Sequence, residues 1–294
     1  MHLSHVPSSP FTGPKAASEA YAILPRMHVQ LLRLALGLYS VGLLHSVFTV
    51  LRKKQTFFKP AVVATIIGFG CHAASIGLRA YELQTVAPTQ PYESLSLFAA
   101  LAVLAFLVVY RKYKLSSVGI LAFPAIFVMT FVANMAAANS PDSVPEVLRS
   151  RWLYIHTPLV ILGYVAFFIA FSAAVLYLIQ ERELKAKRVF HNRLPSLEIC
   201  DDLAYRSLAI GFPLMTLGIL SGALWAQQEL GVSWISDPKI LLAFLTWGIY
   251  LVVINYRLIA GWRGKKAAYL AIAGFVGVLV TFSFQSGFHA TFHP

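Results

Sequence analysis

Long apolar runs dominate this sequence, and polar residues are confined to the stretches between them. Eight runs are long enough to cross a hydrocarbon layer of about 30 Å, which takes about 20 helical residues. They lie near residues 28–51, 60–83, 94–110, 115–138, 156–180, 207–226, 240–257 and 267–288. Because the runs are continuous and do not alternate, the pattern predicts helices rather than strands. The expected fold is an all-α, polytopic membrane bundle of about eight transmembrane helices.

Composition supports a membrane protein. The chain is 58% hydrophobic and 12% charged, with a mean hydropathy of +0.69, whereas about a quarter of the residues in a soluble domain are charged. The net charge of +12 would suggest a nucleic-acid partner in a soluble protein. Here the basic residues flank apolar runs, so we expect contact with membrane lipid and none with nucleic acid.

The basic residues predict an orientation. Of the 24 Lys and Arg residues, 17 lie in the loops that follow the first, third, fifth and seventh runs. The positive-inside rule places those loops in the cytoplasm. Both termini are then outside, and the protein is expected to be a multi-pass plasma (inner) membrane protein.

The first 27 residues are polar and contain four prolines. They lack a basic region before an apolar stretch, so we interpret residues 1–27 as a flexible outer tail rather than a cleaved signal peptide. Residues 28–294 then form the membrane domain. The sequence contains no phosphate-binding loop, dinucleotide fingerprint or nucleophile–base set, which argues against a hydrolase or a nucleotide-driven pump.

Three separate stretches bring candidate ligands to the predicted outer face. His156 begins the fifth run, His289 follows the eighth, and the stretch 222–239 contains Trp225 and Trp234. Two histidines on different helices can approach a haem iron from opposite faces, and tryptophans offer broad surfaces to a porphyrin. The alternative is that the tryptophans anchor the protein at the interface and the histidines form hydrogen bonds.

Haem propionates need cations, and the basic residues expected nearest this face are Arg79, Arg149, Arg151 and Lys239.

Several stretches resemble the cytochrome c assembly family that includes CcsA (ResC), CcmC and HemX-like proteins. They are LRAYELQTVAPTQPYESLSLFA (78–99), HTPLVILGYVAFF (156–168), GALWAQQELGVSWISDPK (222–239), TWGIYLVVINYRL (246–258) and GWRGKKAAYLAIAGF (261–275). The resemblance covers most of the chain and implies a CcsA-like membrane domain over residues 28–294.

The resemblance also implies a site and a role. Trp225, Trp234, Asp237 and Lys239 match the family's haem-holding loop, and His156 and His289 match its outer histidine pair, the axial ligands of the iron. The cargo would be haem b in transit, presented at the outer face for attachment to apocytochrome c. A CcsB/ResB-like membrane protein would be the partner. Whether the chain is an enzyme is left open: at most it is the haem-handling part of a multi-subunit cytochrome c synthetase.

Four positions depart from the resemblance. In the loop, Leu230 and Ser236 stand where the family usually has tryptophan, and Ile240 stands where it has an acidic residue. Asn255 stands where CcsA proteins usually have a histidine near the cytoplasmic end of the span, and amide side chains are poor haem ligands. His45 is positioned to replace that ligand. Two alternatives therefore stay open: a HemX-like regulator of haem biosynthesis that does not export haem, and a transporter or accessory subunit that binds no haem.

Overall fold

The computed structural model describes residues 14–52, 58–113, 118–137, 144, 146–187, 194–230, 238–259 and 261–283. Within these ranges most residues are helical, and none of the described residues forms a strand. The helices are α1 (Pro14–Arg52), α2 (Phe58–Leu83), α3 (Pro91–Tyr113), α4 (Gly119–Ala137), α5 (Arg151–Lys185), α6 (Leu197–Leu230), α7 (Pro238–Leu258) and α8 (Lys265–Ser283), with a 3-10 turn at Glu146–Arg149 before α5.

The predicted fold class is confirmed, since all eight helices are long and apolar enough to cross a membrane. The helix ends differ from the apolar runs. α5 and α6 extend beyond their predicted limits into polar sequence, because hydropathy detects the part of a helix in lipid and not its caps. α1 begins at Pro14, within the segment assigned to the tail. That this segment lies outside the membrane stays a prediction.

The bundle is built from two sets of four helices. In the first, α1 packs against α2 and α4, and α3 against α4; in the second, α5 packs against α6, and α7 against α6 and α8. α5 joins the sets by contacting α3 as well as α8. It is accordingly the most buried of the eight spans.

Small residues allow α5 and α6 to approach closely. A Cβ at Gly211 of α6 would lie 2.7 Å from Phe167 of α5, and one at Gly163 of α5 would lie 3.3 Å from the backbone nitrogen of Met215. In lipid, helix association depends on such packing because burial from water supplies no driving force. α5 and α6 are therefore the most extensively packed pair of helices in the described part of the bundle.

The GWRG stretch forms the turn between α7 and α8. Arg257 at the end of α7 donates to both carboxylate oxygens of Asp201 in α6, at 2.7 and 2.6 Å. The same carboxylate accepts from the backbone N–H of Gly264 at 2.9 Å, where a φ of +71° suits glycine. Asp201 thus ties three helices together at the predicted cytoplasmic end.

Candidate functional site

His156 lies in the second turn of α5, near its N-terminal end. Ser150 caps this helix, and its side-chain oxygen accepts from the backbone N–H of Trp152. The imidazole of His156 is half-buried and faces α6. The position predicted from the sequence therefore lies at a helix–helix junction and not on the open surface.

A backbone carbonyl fixes the orientation of this imidazole. His156 Nδ1 lies 2.8 Å from the carbonyl oxygen of Gly218. A carbonyl only accepts, so the proton is on Nδ1, and a neutral ring then carries its lone pair on Nε2. This is the arrangement in which a histidine is prepared to bind a metal.

Glycine at position 222 makes room for the ring. A Cβ there would lie 2.6 Å from His156 Cε1, so any larger residue would displace the imidazole. Gly218 and Gly222 are four residues apart in the sequence GILSG. This small-residue spacing is typical of closely packed membrane helices and could have indicated the contact from the sequence.

Polar side chains also join the ends of α5 and α6 beyond His156. Ser150 Oγ donates to Glu229 at 2.7 Å, and Trp152 Nε1 donates to Gln228 at 2.6 Å. Sequence reasoning did not single out these four residues. Their partners are nearly 80 positions away in the chain, and only the packing of the two helices brings them together.

Trp225 follows Gly222 by one turn and therefore lies on the same side of α6 as Gly218 and Gly222. Its indole Nε1–H is buried and has no acceptor among the described residues. A buried donor without an acceptor normally has a partner in water or a ligand. An oriented imidazole and a buried indole donor at one end of the α5–α6 pair fit a large aromatic ligand with an iron centre and polar substituents, as haem has.

The positions of four other predicted site residues are not described, or are described only for the backbone. Trp234, Asp237 and His289 lie outside the described residues. Lys239 is the second residue of α7, and its side chain is also outside them. Across the described part of the chain, no group of three or more His, Cys, Asp or Glu side chains could hold a metal ion.

Arg79 belongs to a different cluster. It is only 6% exposed, and its guanidinium contacts Glu93 at 3.1 Å and Glu82 at 3.6 Å. Two carboxylates already compensate its charge, which disfavours the expected role as a propionate partner. Arg149 and Arg151 are exposed at the start of α5 and form no ion pair with another of the described residues.

Glu93, in the Tyr-Glu-Ser stretch at the start of α3, has a structural role. One carboxylate oxygen accepts from the backbone N–H groups of Thr89 and Gln90, at 2.7 and 3.2 Å. The other accepts from Arg79. The residue therefore caps the first turn of α3 and ties it to α2.

Three further polar side chains, His72, His45 and Asn255, have hydrogen-bond partners within the bundle. His72 is fully buried, with Nε2 2.8 Å from Ser96 Oγ and Nδ1 3.3 Å from the Tyr39 hydroxyl. His45 and Asn255 each bond to a carbonyl of their own helix, at Val41 and Leu251. His45 and Asn255 are also on helices with different main neighbours, because α1 packs on α2 and α4 while α7 packs on α6 and α8.

Comparisons with known protein families and with individual proteins point to the same family. The family described as "Cytochrome C assembly protein" matches residues 89–289. The chain is 35% identical over 216 residues to the cytochrome c biogenesis protein CcsA of Prochlorococcus marinus (strain MIT 9301), covering 65% of this chain and 70% of that one. It is 29% identical over 255 residues to the protein of the same name from Guillardia theta, covering 79% and 84%.

A solved structure shares the fold. It is entitled "Cytochrome c Heme Lyase CcmF" and superposes with a TM-score of 0.62 at 17% identity, covering 98% of this chain. This chain spans about half, 52%, of the length of that protein. The family match includes His156, Trp225 and the whole of α3 to α8. Together with the eight-helix fold, it shows that the chain belongs to the cytochrome c assembly protein family.

Proposed function

We propose that this protein binds haem at the outer face of the membrane and presents it for c-type cytochrome biogenesis. The observation that carries the proposal is the hydrogen bond between His156 Nδ1 and the Gly218 carbonyl, 2.8 Å long. It places the proton on Nδ1, as a histidine that ligates iron through Nε2 requires. Family membership supports the same role.

In this proposal, His156 and His289 are the axial ligands of the iron. Trp225 and Trp234 contact the porphyrin, and Asp237 and Lys239 complete the loop that encloses it. When bound, haem b supplies the iron and the vinyl groups that a cytochrome c requires. The chain itself holds the cargo and orients it, while Gly222 keeps the imidazole in place.

The propionates are assigned to Lys239 and to the exposed Arg149 and Arg151 at the start of α5. Arg79 is the weaker candidate because Glu82 and Glu93 compensate its charge. Its contribution is then to position α2 against α3 through Glu93.

The proposed partners are apocytochrome c and a CcsB/ResB-like membrane protein. The chain would be the haem-handling part of a multi-subunit synthetase in the plasma (inner) membrane. The Lys/Arg distribution supports this sidedness. Reporters fused after Leu230 and at the C-terminus should read as external, and those after Lys187 and Lys266 as cytoplasmic. A cytoplasmic signal after Leu230 would place the site on the wrong side.

The direct test is to purify the chain in mild detergent and titrate it with haemin. We expect a Soret band and the spectrum of iron with two histidine ligands, at one haem per chain. A protein that stays colourless at saturating haemin would overturn the proposal.

One observation favours the HemX-like regulator as a second candidate. Asn255 stands where CcsA proteins usually have a histidine. Its side-chain amide donates to the Leu251 carbonyl of the same helix, at 2.8 Å. A chain without that ligand has lost part of the route for haem across the membrane. Normal cytochrome c maturation combined with altered haem synthesis in a deletion strain would support the regulator.

A further inference from the structure

The net charge of the protein is concentrated at the end of the bundle opposite His156. Of the 24 Lys and Arg residues in the sequence, 17 lie at that end, but only five of the 12 Asp and Glu residues do. The five acids are Glu181, Glu183, Glu198, Asp201 and Asp202. The excess equals the net charge of the whole chain, +12, so basic and acidic residues balance in the remainder. The charge pattern predicts that this end is cytoplasmic.

The basic residues of this end fall into paired and unpaired groups. The ion pairs among the described residues are Arg257–Asp201, Lys185–Glu181 and Arg206–Asp202. By contrast, Arg263, Lys265 and Lys266 are exposed and form no ion pair with another of the described residues. They lie within four positions of one another, at the turn between α7 and α8. Three cations are therefore concentrated at one point of the surface without a counter-charge from the described residues.

The turn that carries these cations is fixed by contacts with α6 and α7. Arg257 donates to the Trp262 carbonyl at 3.2 Å, in addition to its ion pair with Asp201. Asp201 also accepts from the backbone N–H of Gly264, and the Trp262 ring stacks on Tyr256 with 4.3 Å between the ring centroids. A backbone that is already ordered loses little entropy when it binds a ligand. The three cations are therefore presented by a preorganised turn.

Aromatic rings lie beneath the two lysine ammonium groups. Lys266 Nζ is 5.1 Å from the centroid of the Trp262 ring, and Lys265 Nζ is 5.8 Å from that of Tyr269. An ammonium has three N–H donors, and a ring face can occupy only some of them. Each lysine can therefore rest on its ring and still donate to an anionic oxygen.

Exposed apolar side chains place this turn at the surface of the bilayer. Ile259 is 83% exposed, Leu258 63% and Tyr269 54%. Ile259 and Leu258 directly precede the turn, and Tyr269 lies one turn into α8, which is long and apolar enough to cross the membrane. Tyrosine and tryptophan are enriched at the level of lipid head groups. The anions nearest to the three cations are then the phosphates of the surrounding lipids.

We propose that the turn between α7 and α8 binds the head group of an anionic phospholipid through Arg263, Lys265 and Lys266. The guanidinium matches a phosphate with two parallel donors, and the acyl chains lie beside Ile259 and Tyr269. The proposal does not depend on haem binding. It gives the end of the bundle opposite His156 a ligand of its own.

The experiment is a competition between two lipids with the same acyl chains. The purified full-length protein is equilibrated with equimolar phosphatidylglycerol and phosphatidylcholine, and the retained lipid is measured by native mass spectrometry. Both head groups contain a phosphate, but only the first has a net negative charge. A basic residue near an anionic surface is worth about fivefold in affinity, and salt screens exposed charges. We therefore expect about tenfold preference for phosphatidylglycerol.

Two matched pairs of substitutions locate the preference. Lys265→Gln with Lys266→Gln should lower it to about twofold. Arg111→Gln with Lys112→Gln removes the same charge from exposed positions at the same predicted end, and Lys112 also lies over an aromatic ring, that of Tyr113, at 5.3 Å. The second pair lies in the last turn of α3, where the helix dipole opposes an anion, and should keep the preference. Each result is a ratio within the folded, detected protein and does not depend on yield.

Equal retention of the two lipids by the unmodified protein would overturn the proposal. An equal fall in the two paired variants would overturn the assigned site, because the preference would then belong to the charge of the whole end. Inorganic phosphate and polyglutamate are further arms. If either binds the unmodified protein and not the Lys265/Lys266 variant, while no lipid preference is found, the partner is a soluble anion or an acidic protein and not a lipid.

Discussion

Two buried or half-buried histidines, His72 and His156, show how differently the two sets of four helices use the same side chain. Hydroxyl groups on two other helices contact both ring nitrogens of His72. A main-chain carbonyl contacts Nδ1 of His156, and a glycine faces its ring. The first pattern joins α1, α2 and α3. The second orients one nitrogen, as a ligating histidine requires, and it differs from the bond of His45 in joining two helices rather than two turns of one helix.

The comparison teaches that burial alone does not identify a functional histidine in a membrane. An intramembrane histidine is by default a candidate functional residue, and His72 meets that description better than His156 does. The identity of the hydrogen-bond partner separates the two cases. Side-chain hydroxyls can donate or accept and so leave the tautomer open, whereas a carbonyl fixes it.

The largest effect is expected from His156→Ala. Removing this proposed axial ligand should weaken haem binding by more than the 10–100-fold typical of losing an outer-shell partner and shift the spectrum towards five-coordinate iron. Added imidazole should partly restore the original spectrum. His45→Ala is the matched control, because His45 also bonds through Nδ1 to a carbonyl but lies in the other set of helices.

His289→Ala should behave as His156→Ala does, if the two are a pair. If both variants keep the original spectrum and affinity, the contrast drawn between His72 and His156 fails, and His156 is structural as well.

A smaller effect is expected from Gly222→Ala. The new methyl group would lie 2.6 Å from His156 Cε1, so the ring must turn and its bond to Gly218 must lengthen. Haem affinity should fall by about 10–100-fold, with a shifted Soret band and a protein that still folds. Gly211→Ala is an equally tight substitution on the same helix face, but it meets Phe167 at 2.7 Å and should leave the spectrum unchanged. Identical spectra in the two variants would refute the positioning role of Gly222.

His72→Leu should affect stability and not ligation. Interhelical hydrogen bonds in membranes average about 0.6 kcal/mol, so losing two should cost about 1 kcal/mol of unfolding free energy, measured in a denaturant titration in detergent. Ser96→Ala combined with His72→Leu should be less than additive, because the two side chains share a bond. A change in the haem spectrum would instead connect His72 to the site.

The smallest effect is expected from Asn255→His. Asn255 is exposed and bonded within its own helix, and the helices around α7 do not present His45 to it. We therefore expect the haem content of the isolated chain to stay unchanged. A second haem per chain would show that a ligand for this position exists within the protein and would restore the inner route.

The sequence predicts the fold well because bilayer thickness and backbone hydrogen bonding restrict the choice to helices of a given length. The charge pattern predicts an orientation, which stays a prediction, and the resemblance indicates His156 and Trp225. What the sequence does not predict is how each helix is rotated. The contacts of His156 with Gly218, of Arg79 with Glu93, and of His28 with Glu82 depend on that rotation. A lone histidine in an apolar run gives no sign of whether it will meet a hydroxyl, a carboxylate or a carbonyl.

The lengths of α5 and α6 have a mechanical consequence. They contain 35 and 34 residues, and at 1.5 Å per residue each is roughly 50 Å long, about 20 Å more than the hydrocarbon layer. Charged side chains lie at the ends of both helices opposite His156, so the excess length projects on that side, which the charge pattern predicts to be cytoplasmic. At the end near His156, two side-chain hydrogen bonds, Ser150–Glu229 and Trp152–Gln228, join the two helices. We therefore expect α5 and α6 to move as one unit. A partner protein that displaced the projecting ends of α5 and α6 would move the His156 imidazole and the Gly218 carbonyl together. The depth of the site in the membrane would change, and the hydrogen bond between the two groups would be kept.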